Sequence, residues 1–290
     1  MNRIARRYFL GAAASLPFAS PAPASPLGLP VGLATYTVRD ALARDFMGTL
    51  RAVARIGYRK VESYMELNGR DTTILRRNFD SLGLEWDTAH CTNEEFTSSL
   101  SKTIERAKTA RLRIVITAMP LIPNSFAQVA AGLTLDDWKR NAELFNRIGE
   151  QVKRAGLTFG YHNHNADFRP VGGTTGYDTL LKRTDPDLVK LEMDVGWVVA
   201  GGHDPVAYLT RFPHRYITLH LKDLTRDFVP NYQFKMTGRP AGQGIMDWKR
   251  LFAAARKTDI KGLYVEQEAP YLPNALAAAK ASYDFLNRLN

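Results

Sequence analysis

Side chains able to carry protons or hold a cation fall into six short clusters along the 290 residues. They are Glu62, His90, Tyr161-His162-Asn163-His164, Glu192-Met193-Asp194, His220-Leu221-Lys222-Asp223 and Glu266-Gln267-Glu268. Each lies in or at the end of a short apolar or β-branched run. In extended chain the side chains alternate between faces, so His162 and His164 share a face, as do His220 and Lys222, and Glu266 and Glu268. Taken singly such groups are ordinary: a lone strand-end histidine is a hydrogen-bonded rim residue, and an aspartate ahead of Val195-Gly196 is a turn former. Taken together, at equivalent depth on consecutive runs, they crowd several charges whose burial is very costly without a compensating cation or tight pairing. A divalent ion supplies that compensation, and the chemistry of the set is cation coordination with proton transfer by carboxylates.

The elements that must position these groups alternate in type. Runs at 31–36, 60–64, 85–90, 114–118, 158–163, 189–194, 216–221 and 262–267 read as strands. Between them the sequence turns helical. Phe46, Leu50, Val53 and Ala54 lie on one face with Gly57 as a stop, and Thr134 opens a capped helix that runs to Gly156. Asp247 begins another, with Leu251, Phe252 and Ala255 on its apolar side. Eight alternations over roughly 260 residues predict a single closed (β/α)₈ barrel. An open dinucleotide-binding sheet also alternates, but the first run is followed by Tyr36-Thr37-Val38-Arg39-Asp40 and not by G-x-G-x-x-G. In a barrel of this kind the C-terminal ends of the strands form the mouth, which is where the ionisable clusters fall.

Composition narrows the class further. Cys91 is the single cysteine, which excludes an intramolecular disulfide and a thiolate zinc site. The net charge is +10, and Arg3, Arg6 and Arg7 contribute three of those charges ahead of any acid. The other basic residues are scattered among acids without a basic, aromatic-interleaved stripe, which argues against a nucleic-acid partner. Residues 1–24 read as a targeting segment: a basic start, an apolar run from Tyr8 to Phe18 too short to span a bilayer comfortably, and Ala22-Pro23-Ala24 as a cleavage site. Arg6-Arg7 followed by Tyr8-Phe9-Leu10 resembles a bacterial twin-arginine signal, so a periplasmic protein is expected. Its barrel would occupy residues 25–290, with no membrane contact in the mature form.

Five segments in order resemble the xylose isomerase-like TIM barrel family of sugar isomerases and epimerases. They are Tyr161-His162-Asn163-His164, Leu191 to Trp197, Leu219 to Asp223, Gly242 to Trp248 and Tyr264 to Glu268. The resemblance implies one divalent ion held by His162, Asp194, His220 and Glu266 from strands five to eight. This oxygen and imidazole set suits Mn²⁺, Co²⁺, Zn²⁺ or Fe²⁺. The chain departs from the family's epimerases at His162, where they usually carry a glutamate that shares proton transfer with the one on strand eight. Glu266 then stands as the acid–base carboxylate, with Lys222, His164, Asp167 and Glu268 as candidates for its partner. Glu62, His90, Trp197, Arg226 and Glu268 are the expected substrate contacts, and His164 and Glu268 are also fallback ligands.

The resemblance implies proton abstraction next to a carbonyl, on a small-molecule sugar or cyclic polyol. His162, the export signal and the lack of a Gly-rich phosphate cradle all favour a non-phosphorylated substrate. An isomerase or epimerase is the expected outcome. The alternatives are a lyase or hydratase on 3-keto glycosides, or a non-catalytic sugar-binding barrel. A three-metal endonuclease on abasic DNA shares the fold but needs more ligands than this set provides.

Overall fold

The structure, a computed structural model, describes residues 26–289. The expected targeting segment lies outside the described residues. Eight parallel strands close a barrel: β1 (Val31–Ala34), β2 (Lys60–Tyr64), β3 (Glu85–Cys91), β4 (Ile114–Thr117), β5 (Thr158–His162), β6 (Val189–Asp194), β7 (Tyr216–Leu221) and β8 (Gly262–Val265). Each pairs with its neighbours in chain order, and β8 closes on β1. β1, β4, β5 and β8 end one or two residues before the apolar runs do, β2, β6 and β7 end with them, and β3 runs one residue further. A turn of 3₁₀ helix, Thr35–Val38, takes over directly after β1, and Glu266 lies just past the end of β8. The reason is local: beyond those points the backbone must turn outward into the loops that shape the mouth.

The expected helices form where their caps are. Asp45 accepts from Gly48 N–H at the head of Phe46–Ile56, which ends at Gly57 with φ 124°. Thr134 and Asp137 form a reciprocal capping box at the head of Leu135–Arg154, and Asp247 caps Trp248–Ala255. Alternation then sorts the two sides of each strand. Phe159 and Tyr161 of β5 face outward, with ring centroids 5.6 and 5.3 Å from Phe145 of the long helix. Gly160, by contrast, has Ile116 of β4 as its nearest neighbour, and His162 opens into the cavity at the mouth.

The interior of the barrel is polar as well as packed. Lys60 of β2 and Asp87 of β3 form a buried ion pair at 2.9 Å, and the Tyr264 hydroxyl donates to Asp87 and Thr88. This layer satisfies its own hydrogen bonds and supports the layer above, where the functional clusters lie.

Candidate active site

Strand register brings the predicted residues together. Asp194 on β6 pairs with His220 on β7, His220 pairs with Tyr264 on β8, and His162 on β5 pairs with Glu192 on β6. The result is two stacked convergences of donor atoms. Asp194, His220 and Glu266 present ligand atoms within 4.8 Å of one another. His162 Nε2 stands 3.9 Å from Asp194 Oδ2, and His220 Nδ1 lies 3.8 Å from the same oxygen and in close contact with Glu266 Oε2. Below them, His90 Nε2, His162 Nδ1 and His220 Nε2 lie 2.8, 3.0 and 3.2 Å from one oxygen, Glu192 Oε2. Glu62 Oε1 accepts from His220 Nε2 at 2.7 Å and lies 3.1 Å from His90.

The lower layer is tied together by Glu192, which also accepts from Thr218 Oγ1 at 2.7 Å and whose pKa is held well below the usual carboxylate range by the histidines in spite of full burial. Glu62 Oε2 is buried there without a hydrogen bond among the described residues. Burial pushes His90 down, but Glu62 and Glu192 outweigh it and raise its pKa to about 10, so His90 is a cation there. In the upper layer, Asp194 Oδ2 and His220 Nδ1 are buried without a well-formed hydrogen bond among the described residues. Glu192 takes the Nδ1 proton of His162, so the neutral ring turns its Nε2 lone pair toward Asp194. Burial lowers the pKa of His162, which favours that neutral form. His220, by contrast, gives Nε2 to Glu62 and rests Nδ1 against Glu266. Glu192, Glu62 and Glu266 raise its pKa against burial, so that a bound cation would take the place of its Nδ1 proton. One imidazole and two carboxylates converging in this way, with the His162 Nε2 lone pair 3.9 Å from Asp194 Oδ2, fit a divalent transition-metal ion.

Lys222 is built into the same layer. Its Nζ lies 2.8 Å from Asp194 Oδ2, 3.1 Å from Glu266 Oε1 and 3.3 Å from Glu268 Oε1, and 4.7 Å from the centre of the Trp197 ring. Its stem fills the space above Gly196, where an added Cβ would come within 2.7 Å. Those three carboxylates raise its pKa against the effect of burial. In return, Lys222 and His220 hold Glu266 well below the usual carboxylate range although burial opposes them. Lys222 does not line the cavity; it reaches the cavity only through the carboxylates it touches.

The cavity above these layers has a volume of about 350 Å³. Of the predicted substrate contacts, Glu62, His90, Trp197 and Glu268 line it, as do His162, His164, His220 and Glu266. Arg226 does not: it is exposed on the loop after β7, away from the lining. Asp167 is also outside, buried behind β5 where it accepts from the Tyr161 hydroxyl and from His164 N–H. His164 keeps Nδ1 buried and unpartnered among the described residues, 5.5 Å ring to ring from Trp197.

Several residues gain a role that the sequence did not show. Asn163 exchanges two bonds with the backbone of Asp194, and Asp194 Oδ1 caps the following helix at Trp197 N–H, leaving Oδ2 to the site. Glu192 is the shared acceptor of the histidines, and a charged residue between Leu191 and Met193, two before Asp194, was the available signal. The segment Gly242 to Trp248 proves to be structural. Asp223 accepts from the N–H groups of Gly242, Gly244 and Met246 and from Trp248 Nε1, which fastens this loop to the end of β7.

Fold and site thus define a parallel (β/α)₈ barrel with a histidine–carboxylate centre at the C-terminal ends of its strands. The chain belongs to the xylose isomerase-like TIM barrel family, whose model matches residues 50–289. A Parabacteroides distasonis structure described as a sugar phosphate isomerase/epimerase superposes with a TM-score of 0.74 at 25% identity, covering 97% of this chain and 99% of that one. Inosose dehydratases are also similar: that of Clostridium tetani is 33% identical over 146 residues and that of Lacticaseibacillus casei 30% over 147, each match covering 47% of this chain and 48% of the relative. The chain spans about half the length of the curated relatives it matches.

Proposed function

We propose that this chain is a divalent-metal enzyme that removes the proton beside a carbonyl of a non-phosphorylated sugar or cyclic polyol, with isomerisation or epimerisation as the outcome. The observation that carries the reading is the convergence of Asp194, His220 and Glu266, whose ligand atoms lie within 4.8 Å of one another beside the cavity, with His162 Nε2 3.9 Å from Asp194 Oδ2. These four residues would hold the ion, which would supply Lewis-acid polarisation of the carbonyl. Glu266 is the base: it lines the cavity and is kept ionised by Lys222 and His220. Lys222 is a positioning residue, fixing Glu266 Oε1 and Asp194 Oδ2. Among the described residues no lysine or arginine lines the cavity, whereas Glu62, Glu266 and Glu268 do, so a phosphate dianion would meet acids without a partner. This supports a neutral, polyhydroxylated substrate.

A second reading, elimination of water or of an alkoxide from a keto polyol or 3-keto glycoside, shares the first step. It is favoured by the similarity to inosose dehydratases and by His162, which withholds a second carboxylate base from strand five. One experiment tests both. Metal-loaded protein is incubated in D₂O with ketoses, inososes and 3-keto glycosides and followed by NMR. Deuterium entering beside the carbonyl is expected, with a retained skeleton for isomerisation or epimerisation and an unsaturated product for elimination. No exchange on any member of the panel would sink the proposal. The residues 1–24 further support work in the periplasm; retention of the Arg6→Lys, Arg7→Lys double variant in the cytoplasm tests the twin-arginine route.

A further inference from the structure

The cavity has two ends of opposite chemistry. Its floor is the histidine–carboxylate layer. From the floor toward the mouth runs a continuous aromatic wall: Trp197 to His164 at 5.5 Å, His164 to Phe234 at 5.2 Å, and Phe234 to Phe126 at 5.0 Å with their planes 45° apart. Phe126 is 63% exposed and so adds little to the core, yet both it and Phe234 line the cavity. A large aromatic side chain left in water at a cavity mouth is the arrangement of a binding surface more than of packing.

The backbone beneath this pair is held in place. Phe234 has φ 55°, a left-handed conformation that a bulky residue adopts only when its surroundings impose it. Here the imposing group is the buried Asn165, whose Oδ1 accepts from Phe234 N–H while its Nδ2 donates to the carbonyl and side-chain oxygens of Asn231. Arg169 ties the other loop to this one: a single guanidinium nitrogen donates to Ala130 O, at the end of the helix Phe126–Ala131, and to Tyr232 O. The segment that follows β5 thus fixes both phenylalanines, and it starts from the residue that follows His162. Preorganisation of this kind lowers the ordering cost of binding a ring.

We infer that Phe126 and Phe234 form a second subsite for a ring with a flat apolar face, glycosidically joined to the sugar on the floor, so that the ligand is a glycoside and not a free monosaccharide. The inference rests on the sugar-binding floor proposed above. Two sources share the chemistry: an aromatic aglycone and the apolar face of a second pyranose.

The test is calorimetric titration of Mn²⁺-loaded protein, and of protein after chelation, with glucose, cellobiose and phenyl β-glucopyranoside. One or both two-ring compounds should bind roughly tenfold more tightly than glucose, the scale of one aromatic contact. Phe126→Ala should remove most of that preference and leave metal content unchanged; its exposed site keeps the fold intact. Phe234→Gly, which relieves the left-handed backbone, should do the same. Equal binding of all three compounds by the unaltered protein, or a preference that survives in both variants, overturns the subsite. If glucose binding is metal-dependent while the ring preference is missing, the floor stands and the subsite falls. A ring preference with no effect of chelation retains the subsite and refutes the metal reading. Binding of none of the compounds overturns both.

Discussion

Asp194 and His220 are register partners on adjacent strands, and Asp194 Oδ2 stands 3.8 Å from His220 Nδ1 with both atoms buried and lacking a well-formed hydrogen bond. Backbone pairing sets the two side chains side by side, and the bonds of Asp194 Oδ1 to Trp197 N–H and of His220 Nε2 to Glu62 fix their orientation. If the pair is half of a metal centre, Asp194→Ala and His220→Ala should each abolish retention of metal by the purified protein. Both should keep the barrel's far-ultraviolet circular dichroism, since the apolar layer between strands and helices is untouched. Elemental analysis that finds one equivalent of metal in both variants would refute the ligand set.

Glu192 reaches the proposed ion only through the histidines it orients. Glu192→Gln retains the shape but replaces one acceptor oxygen by a donor, which forces at least one imidazole into the wrong tautomer. Metal affinity should fall by about 10- to 100-fold, the usual cost of losing such an outer partner. Competition with a chromogenic chelator measures it, and an unchanged affinity would show that His162 and His220 are oriented by something else.

Glu266 should matter more for turnover than for holding metal. In Glu266→Gln one coordinating oxygen remains but the proton acceptor is gone, so exchange of the substrate proton should slow by about 10²-fold or more with a large part of the metal retained. Lys222→Met should weaken the base indirectly. Without the ammonium at 3.1 Å, Glu266 loses the first of the charges that keep it ionised, and the acid limb of the pH–rate profile should move to higher pH. A full rate in Glu266→Gln moves the base to another group lining the cavity.

Asp167 gives a pH-dependent term in stability. Burial raises its pKa to about 7, against the bonds from His164 N–H and Tyr161. The unfolded chain releases this proton near the usual value of about 3.9, so the folded state is favoured below that pH and loses the contribution as pH rises through 7. Asp167→Asn stays neutral and can still accept through its amide oxygen. The melting temperature of the variant minus that of the unaltered protein should therefore increase between pH 4 and pH 8. A flat difference would show that Asp167 is not buried as a protonated acid.

Asp223 is expected to be a stability residue. It accepts from three backbone N–H groups of the loop 242–246 and from the Trp248 indole, all of which lose their partner in Asp223→Ala. Destabilisation of about 1–3 kcal/mol follows from orphaning the buried Trp248 indole donor and loosening the three partly buried N–H groups, measured by urea unfolding. Gly244→Ala should be similarly harmful, because its Cβ would lie 2.2 Å from Leu224 O and from an Asp223 oxygen.

The barrel was legible in the sequence because its information is local. Alternation of strand and helix periods, the caps Asp45, Thr134 and Asp247, and the stop at Gly57 are each set by residues a few positions apart. Period-two alternation also placed His162, Asp194 and His220 at the strand ends, since a face once assigned persists along a strand. Beyond that the sequence was silent, and the reason is geometric. Which nitrogen of His162 and His220 faces the cavity depends on Glu192 and Glu62, the latter 158 residues from His220 in the chain. Asp167 and Arg226 carry the right chemistry at plausible positions, but a loop's path and not its composition decides whether a side chain reaches a cavity, and theirs lead away. Conversely, Phe126, at the head of a six-residue helix, and Phe234, in a loop, lie 108 positions apart with no periodicity linking them. Only the closing of the barrel, with Arg169 and Asn165 fixing both loops from below, brings the two rings to one side of the mouth.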